Sequence, residues 1–314
     1  MQDAIAAGED RGAKAREEDG RRRALLVLNR KARSGSGPVD KALTILAEGG
    51  IDAEEIECAG AAAMTRAIRD RADEVSLAIV GGGDGTLNCV ASALVETGLP
   101  MGILPLGTAN DLARTLGIAP DLEAAARIIV DGRIRVIDIG VVNGRHFFNV
   151  ASIGFSVDLA RELTAELKRR WGTLGYAMAS ARLLARMRPF TAYIEHDGEI
   201  LKVKTVQISV GNGRHYGGGL TVDADAEPDD GKLHVYSLEI EHWWQLLALA
   251  PALKRGTLSS WRDVRVFTTS EVTIRTRRGR SVNTDGELTS ATPAVFKVIP
   301  AAVRVFAPAP PSGT

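Results

Sequence analysis

The chain has 314 residues, 45% of them hydrophobic and 25% charged, and its 39 basic and 39 acidic side chains leave a formal net charge of zero. That length permits two domains with ample burial, and the composition is that of a soluble globular protein. The charge balance excludes a global basic field of the kind that binds nucleic acid.

Residues 1–23 alternate acids with bases and lack the apolar core of a secretory signal, so a solvated, disordered tail is expected. It ends in Arg21, Arg22 and Arg23, a basic run able to touch anionic lipid. From residue 24 strands and helices alternate. Strands are expected at 24–28, 53–58, 76–80 and 101–104, and helices at 39–48, 61–72, 87–95, 110–116 and 121–131. Repeated β–α units imply a parallel sheet covered by helices, with ligands outside the carboxyl ends of the strands. This α/β nucleotide-binding domain is expected to run over 24–136.

From about residue 133 the pattern changes to strands at 133–142, 147–151, 191–196, 202–211, 233–238, 263–268, 271–275 and beyond 294. Asn143-Gly144 and Asp197-Gly198 are hairpin turns of the favoured two-residue kind. A β-rich, antiparallel sandwich-like domain is expected over 137–301, with a helical insertion at about 157–187. The apolar stretch near 243–253 holds Gln245 and Pro251 and is too short to cross a bilayer. Cys58 and Cys89 match no zinc or redox spacing and are expected as free thiols.

Two motifs carry the chemistry. Gly81-Gly82-Gly83-Asp84-Gly85-Thr86-Leu87-Asn88 follows an apolar run and opens a helix, and Pro105-Leu106-Gly107-Thr108-Ala109-Asn110-Asp111-Leu112-Ala113-Arg114 repeats the arrangement. A glycine-rich turn lets backbone N–H groups approach a phosphate, and the helix N-terminus adds a favourable dipole. Either alone is explained by glycine in a tight turn. Two phosphate-friendly turns in consecutive units point instead to a nucleotide enzyme. The acid Asp84 cannot cradle phosphate and suggests a magnesium-linked role or an orienting hydrogen bond. Neither motif is a Walker A loop or a Gly-x-Gly-x-x-Gly.

At these residues the chain resembles the diacylglycerol kinase-like catalytic family, the bacterial lipid kinases related to sphingosine kinases. Asn149-Val150-Ala151-Ser152-Ile153-Gly154-Phe155, Pro228-Asp229-Asp230-Gly231-Lys232-Leu233 and Asp285-Gly286-Glu287 are similar to later blocks of that family, in order from about residue 24 to 306. The resemblance implies a Rossmann-like α/β nucleotide domain and a C-terminal β-sandwich-like domain with the active site in the cleft between them. It also implies return of a C-terminal strand at about 302–307 to the first domain. It implies ATP and Mg²⁺, and a lipid hydroxyl as acceptor at a membrane surface, with a cytoplasmic, peripheral location; a homodimer is left open.

Residue by residue, the resemblance places the nucleotide on Asn29, the loop from Gly82 through Gly83, Asp84, Gly85, Thr86 and Leu87 to Asn88, and Thr108. Lys31, Arg33 and Arg114 are candidate phosphate contacts, although Arg30-Lys31-Ala32-Arg33-Ser34-Gly35 departs from the shorter Asn-Pro-x-Ser-Gly of many members. An adenine-side threonine of the family falls on Cys58. Glu287 is the candidate general base, whose carboxylate would accept the proton of the lipid hydroxyl. The alternative for Glu287 is an exposed residue beyond an Asp-Gly hairpin. Asp138 is matched to an acid that supports the base, and Asp111, in the second block, is a further catalytic candidate whose alternative is a first-turn acid favoured by the helix dipole. The acidic loop of Asp223, Asp225, Glu227, Asp229 and Asp230 offers hard oxygens to a divalent ion. There the resemblance names the Asp230 side chain with backbone oxygens of Glu227 and Lys232 as ligands of a structural Mg²⁺. The rivals are an NAD kinase-like enzyme, which shares Gly-Gly-Asp-Gly-Thr, and a non-catalytic nucleotide-binding regulator.

Overall fold

The computed structural model describes residues 17–18, 20–29, 37–56, 58, 60–157, 187–213, 215–216, 220–221, 226–242, 245 and 261–309. Lys31, Arg33, Asp223, Asp225, the body of the expected 157–187 insertion and nearly all of the 243–253 stretch lie outside them. The chain divides into two units: Met1–Ile137 with Ala301–Thr314, and Asp138–Pro300.

The first unit begins with β1 (Glu17–Glu18) and β2 (Arg21–Leu28), followed by α1 (Gly37–Glu48), β3 (Ile51–Ile56), α2 (Ala61–Asp70) and β4 (Leu77–Gly82). Then come α3 (Asp84–Thr97), β5 (Met101–Pro105), α4 (Asp111–Thr115), α5 (Leu122–Asp131) and the start of β6 (Ile134–Val142). β3, β2, β4 and β5 pair in parallel in that order. Every residue of β4 and β5 is buried, as expected for parallel strands covered on both faces. α1 packs on α5, and α2 on α3. Asp121 caps α5, accepting the Ala124 N–H at 2.8 Å, which explains the sharp helix start.

Two expectations need correction here. β2 starts at Arg21, three residues before the expected Ala24, and Glu17↔Arg22 pairing adds the short β1 to it. The arginines are consequently strand residues and not the end of a tail. Arg21 Nη2 donates to the Ala47 carbonyl at 2.7 Å, and Arg22 Nη2 to that of Val130 at 3.1 Å. Both guanidinium groups serve carbonyls in the last turns of α1 and α5, where the helix dipole favours a cation.

The second unit is antiparallel. It takes the rest of β6, then β7 (Arg145–Phe147), β8 (Val150–Gly154), β9 (Phe190–His196), β10 (Glu199–Thr205), β11 (Gln207–Gly211), β12 (His215–Tyr216) and β13 (Leu220–Thr221). It continues with β14 (Leu233–Leu238), β15 (Val264–Thr269), β16 (Glu271–Thr276), β17 (Ser281–Thr284), β18 (Glu287–Ala291) and β19 (Ala294–Phe306). One sheet runs β15-β14-β11-β8-β17-β18, while β19, β16, β9 and β10 pair in sequence. Ala151, Ile153, Ile208, Val235 and Val282 from the former share a core with Ala192, Ile194, Val272, Ile274 and Phe296 from the latter. Asn143 and Asp197 take φ of 48° and 49° before glycines at 80° and 81°, as two-residue hairpins demand. Within β19, Ala301 has φ 51°, and beyond it Val305 pairs with Met101 of β5 in parallel.

The expected strand 202–211 is two strands, β10 and β11, separated at Val206. Thr205 Oγ1 lies 2.9 Å from both the Gln207 and Leu238 carbonyls, between which its one proton is shared, and Val206 N–H donates to the Leu238 carbonyl at 2.9 Å. The expected strand 147–151 likewise breaks at Phe148 and Asn149. Among the described residues no helix is long and apolar enough to cross a membrane.

Candidate active site

In the first unit the residues expected to contact a nucleotide lie at the carboxyl ends of β2, β4 and β5. β4 runs to Gly82 and α3 begins at Asp84, so the expected loop 81–88 contracts to a single linking residue, Gly83. Asp84, Gly85 and Thr86 form the first helical turn, three residues before the expected start at Leu87. Gly83 is the N-cap, is extended at φ −100°, and brings no capping side chain. The first N–H groups of a helix lack intrahelical partners, so an uncapped start is suited to an anion. Asn29 flanks it, donating from Nδ2 to Thr86 Oγ1 at 3.1 Å and from its backbone N–H to Gly81 O at 2.9 Å. Leu87 is buried at 1% exposure, and Asn88 Oδ1 is buried without a hydrogen-bond partner among the described residues.

The second turn is built differently. The N–H groups of Asp111 and Leu112, at the start of α4, donate to Asp84 Oδ2 at 3.0 Å and Oδ1 at 3.1 Å. Asp84 thus braces the two motifs against each other, the orienting role considered from sequence, and it occupies N–H groups that a phosphate would need. The expectation of two equivalent phosphate turns therefore narrows to one, at α3. Asn110, at φ 51°, closes a ring on Gly107: Oδ1 accepts the Gly107 N–H at 3.0 Å and Nδ2 donates to its carbonyl at 2.9 Å. Sequence reasoning left Asn110 without a role, although a buried Asn between Ala and Asp in a glycine turn is a recognisable αL residue. Asp111 is buried, Thr108 is exposed, and Arg114 Nε donates to the Ala109 carbonyl at 2.9 Å. Cys58 is a half-buried free thiol whose pKa burial pushes up, a weak substitute for a threonine hydroxyl.

The glycines are needed for packing as well as for ligand approach. A Cβ at Gly107 would sit 2.5 Å from Gly83 Cα and 2.6 Å from Asn110 Oδ1. The obstacle is backbone, so it cannot swing aside. Gly107→Ala is expected to lower stability by about 3 kcal/mol, at the severe end of overpacking. The denaturation midpoint, read with and without ATP, checks this.

In the second unit Asp138, Asn212 and Asp285 belong to one polar cluster. Asp138 is 3% exposed; its Oδ2 accepts the Gly231 N–H at 2.6 Å, and its own N–H donates to Pro228 O at 2.7 Å. These bonds clamp the 228–231 turn to β6. Asn212, 1% exposed, donates from Nδ2 to the carbonyls of Asp138 at 3.0 Å and Phe148 at 3.2 Å. Asp285 accepts three backbone N–H groups: Phe148 at 2.7 Å, Asn149 at 3.0 Å and Val150 at 3.0 Å. Its own N–H returns to Val150 O at 3.0 Å, and Gly286 N–H donates to Asn283 Oδ1 at 2.8 Å. Asp285 (φ 47°) and Gly286 (φ 97°) make the hairpin turn between β17 and β18, and Glu287, exposed, is the first residue past it. Leu288 follows at 47% exposure. Asn212 and Asp285 were not singled out from sequence; an Asn between two glycines and an Asp before a glycine were the available signals.

In the acidic loop Lys232 N–H donates to Asp230 Oδ1, and His234 Nε2 lies against Oδ2, both at 2.8 Å. Among the described residues no group of three or more His, Cys, Asp or Glu side chains could hold a metal. Asp230 nonetheless keeps a lone pair on each oxygen, and one carboxylate with backbone carbonyls and waters is within what Mg²⁺ accepts. Lys232 has only its carbonyl oxygen to add, whereas Glu227 has a carboxylate besides the carbonyl that the resemblance names.

Comparison with known proteins agrees with this organisation. Residues 23–142 match the diacylglycerol kinase catalytic domain, and residues 149–307 match the YegS C-terminal NAD kinase beta sandwich-like domain. A Klebsiella pneumoniae (strain 342) protein named "Probable lipid kinase YegS-like" is 32% identical over 290 residues, covering 90% of this chain and 95% of that one. A diacylglycerol kinase of Bacillus subtilis (strain 168) is 31% identical over 243 residues, covering 76% and 80%. The crystal structure of a diacylglycerol kinase from Bacillus anthracis str. Sterne superposes with a TM-score of 0.75 at 25% identity, covering 93% of this chain and 99% of that one. The matching catalytic-domain model and the kinase names of these relatives, rather than the fold by itself, make this a kinase. The chain belongs to the diacylglycerol kinase catalytic domain family.

Proposed function

We propose that this protein is an ATP- and Mg²⁺-dependent lipid kinase that transfers the γ-phosphate to a lipid hydroxyl, with diacylglycerol as acceptor and phosphatidic acid as product. The observation that carries the proposal is the uncapped start of α3 at the end of β4, flanked by Asn29 and braced by Asp84. The names of the relatives support a lipid acceptor. In this reading the first unit is the nucleotide domain and the second is the lipid-substrate domain. The N–H groups of Asp84 and Gly85 hold phosphate oxygens, while that of Thr86 is donated to Gly83 O at 2.9 Å; Asn29 and Thr108 orient the nucleotide, and Lys31, Arg33 and Arg114 add positive charge.

The acceptor oxygen attacks the γ-phosphorus as its bond to the β,γ-bridging oxygen breaks, and ADP leaves. The hydroxyl proton passes to the Glu287 carboxylate. Asp138 acts at one remove, by fixing the 228–231 turn. Mg²⁺ on the nucleotide would neutralise charge developing on the phosphates; a separate ion at Asp230 and the carbonyls of Glu227 and Lys232 would stiffen the acidic loop. A lipid acceptor places the reaction at a membrane surface.

The test is transfer of labelled γ-phosphate from ATP to diacylglycerol, a sphingoid base, phosphatidylglycerol, a polyprenol and NAD, the lipids in mixed micelles. Labelled phosphatidic acid is expected, abolished by EDTA and restored by Mg²⁺. Labelled NAD would favour the NAD kinase-like alternative, which the description of the C-terminal domain keeps in view. Binding of ATP with no labelled product would favour a non-catalytic regulator.

A further inference from the structure

The second unit has a basic cavity that the proposed kinase chemistry does not use. Four arginines, at 275, 277, 278 and 280, fall within six residues, and no acid occurs between Glu271 and Asp285. Three of them, Arg277, Arg278 and Arg280, line a cavity of about 440 Å³ with Phe190, Thr191 and Thr276. The fourth, Arg275, is spent elsewhere, in an ion pair with Glu195 at 3.4 Å.

The loop that presents the three is held in place. Thr276 Oγ1 donates to the Arg278 carbonyl at 2.8 Å, and Arg280 N–H donates to Thr292 Oγ1 at 2.9 Å. Thr292 N–H returns to the Arg280 carbonyl at 2.8 Å. The Arg280 guanidinium lies 3.9 Å from the centre of the Phe190 ring, so cation–π contact fixes its plane. Arg277 and Arg278 are exposed and make no ion pair among the described residues. Like charges gathered around one concavity repel until an anion joins them, and guanidinium forks match phosphate oxygens bidentately.

We propose that this cavity is an anion site that takes a phosphate monoester. The phosphate could be carried by a soluble ester or by an anionic lipid headgroup. Binding at the site needs neither ATP nor transfer, so the proposal stands or falls apart from the kinase reading.

The test uses the full-length protein without nucleotide and two probes: glycerol 3-phosphate in solution, and phosphatidylcholine vesicles with or without phosphatidic acid. Saturable one-to-one binding of at least one phosphate-bearing probe is expected. Arg277→Ala/Arg278→Ala should weaken it by at least about tenfold, the loss of one or more charge-assisted hydrogen bonds. Both side chains are exposed, so the melting temperature without ligand should be unchanged. Lys202→Ala/Lys204→Ala removes the same charge from exposed positions of β10 and should leave binding intact. Binding of the soluble ester identifies a free phosphate ligand; binding of phosphatidic acid vesicles alone identifies a headgroup. Absence of saturable binding to either probe, or equal weakening by the lysine variant, would overturn the proposal.

Discussion

Glu287→Ala is expected to lower lipid phosphorylation by about 10²- to 10⁴-fold, the range that a positioned general base contributes. ATP affinity should stay the same, because no nucleotide-side residue lies in its hairpin. The fold should also be unaffected: Glu287 is exposed, and Asp285 and Asn283 hold the turn without its side chain. The separation matters, since a drop in kcat with unchanged ATP binding and unchanged melting temperature is the signature of a proton acceptor. A variant that turns over at the native rate would remove Glu287 from the chemistry and leave it as an ordinary residue beyond an Asp-Gly turn.

Asp285→Ala should act through structure, two residues away. The carboxylate collects three N–H groups from the break between β7 and β8, and its removal strands all three in a part-buried setting. Bonds to a charged acceptor are worth about 1.5–3 kcal/mol each, and losses within one network do not add, so a cost of about 3–5 kcal/mol is expected. Alanine also tolerates φ of 47° poorly. Denaturant unfolding should show the loss, and transfer should fall because the hairpin carrying Glu287 loses its anchor. Asp285→Asn keeps a shorter set of acceptors and should recover part of the stability. A fully stable Asp285→Ala variant would show that the β7–β8 break does not depend on this carboxylate.

The two variants also mark what could be read in the sequence. The α/β unit was legible because parallel strands buried on both faces are continuous apolar runs, and β4 and β5 are such runs. Asn143-Gly144 and Asp197-Gly198 were legible because a two-residue hairpin needs positive φ twice in succession. The division of 202–211 was not legible. No glycine or proline marks Val206, and the change of sheet depends on Leu238, whose carbonyl takes bonds from Thr205 and Val206. Residues 147–151 failed for a similar reason, since the carboxylate that interrupts them is 136 residues away from Asn149. At the site, the glycine motif located the end of β4 but not the uneven use of the two helix starts. That follows from Asp84 reaching α4, a contact across 27 residues that local pattern does not encode.

The path of β19 has a consequence for how the chain is made. β5 has β4 along one side, and Val305, near the end of β19, pairs along the other. A ribosome releases all of the intervening second unit before that last partner exists. Through most of synthesis, therefore, the parallel sheet carries an apolar strand with an unfilled margin, the kind of edge that invites pairing with another chain. Completion of the first unit is thereby delayed, tied to the arrival of a few residues that belong to it in space and follow the second unit in time.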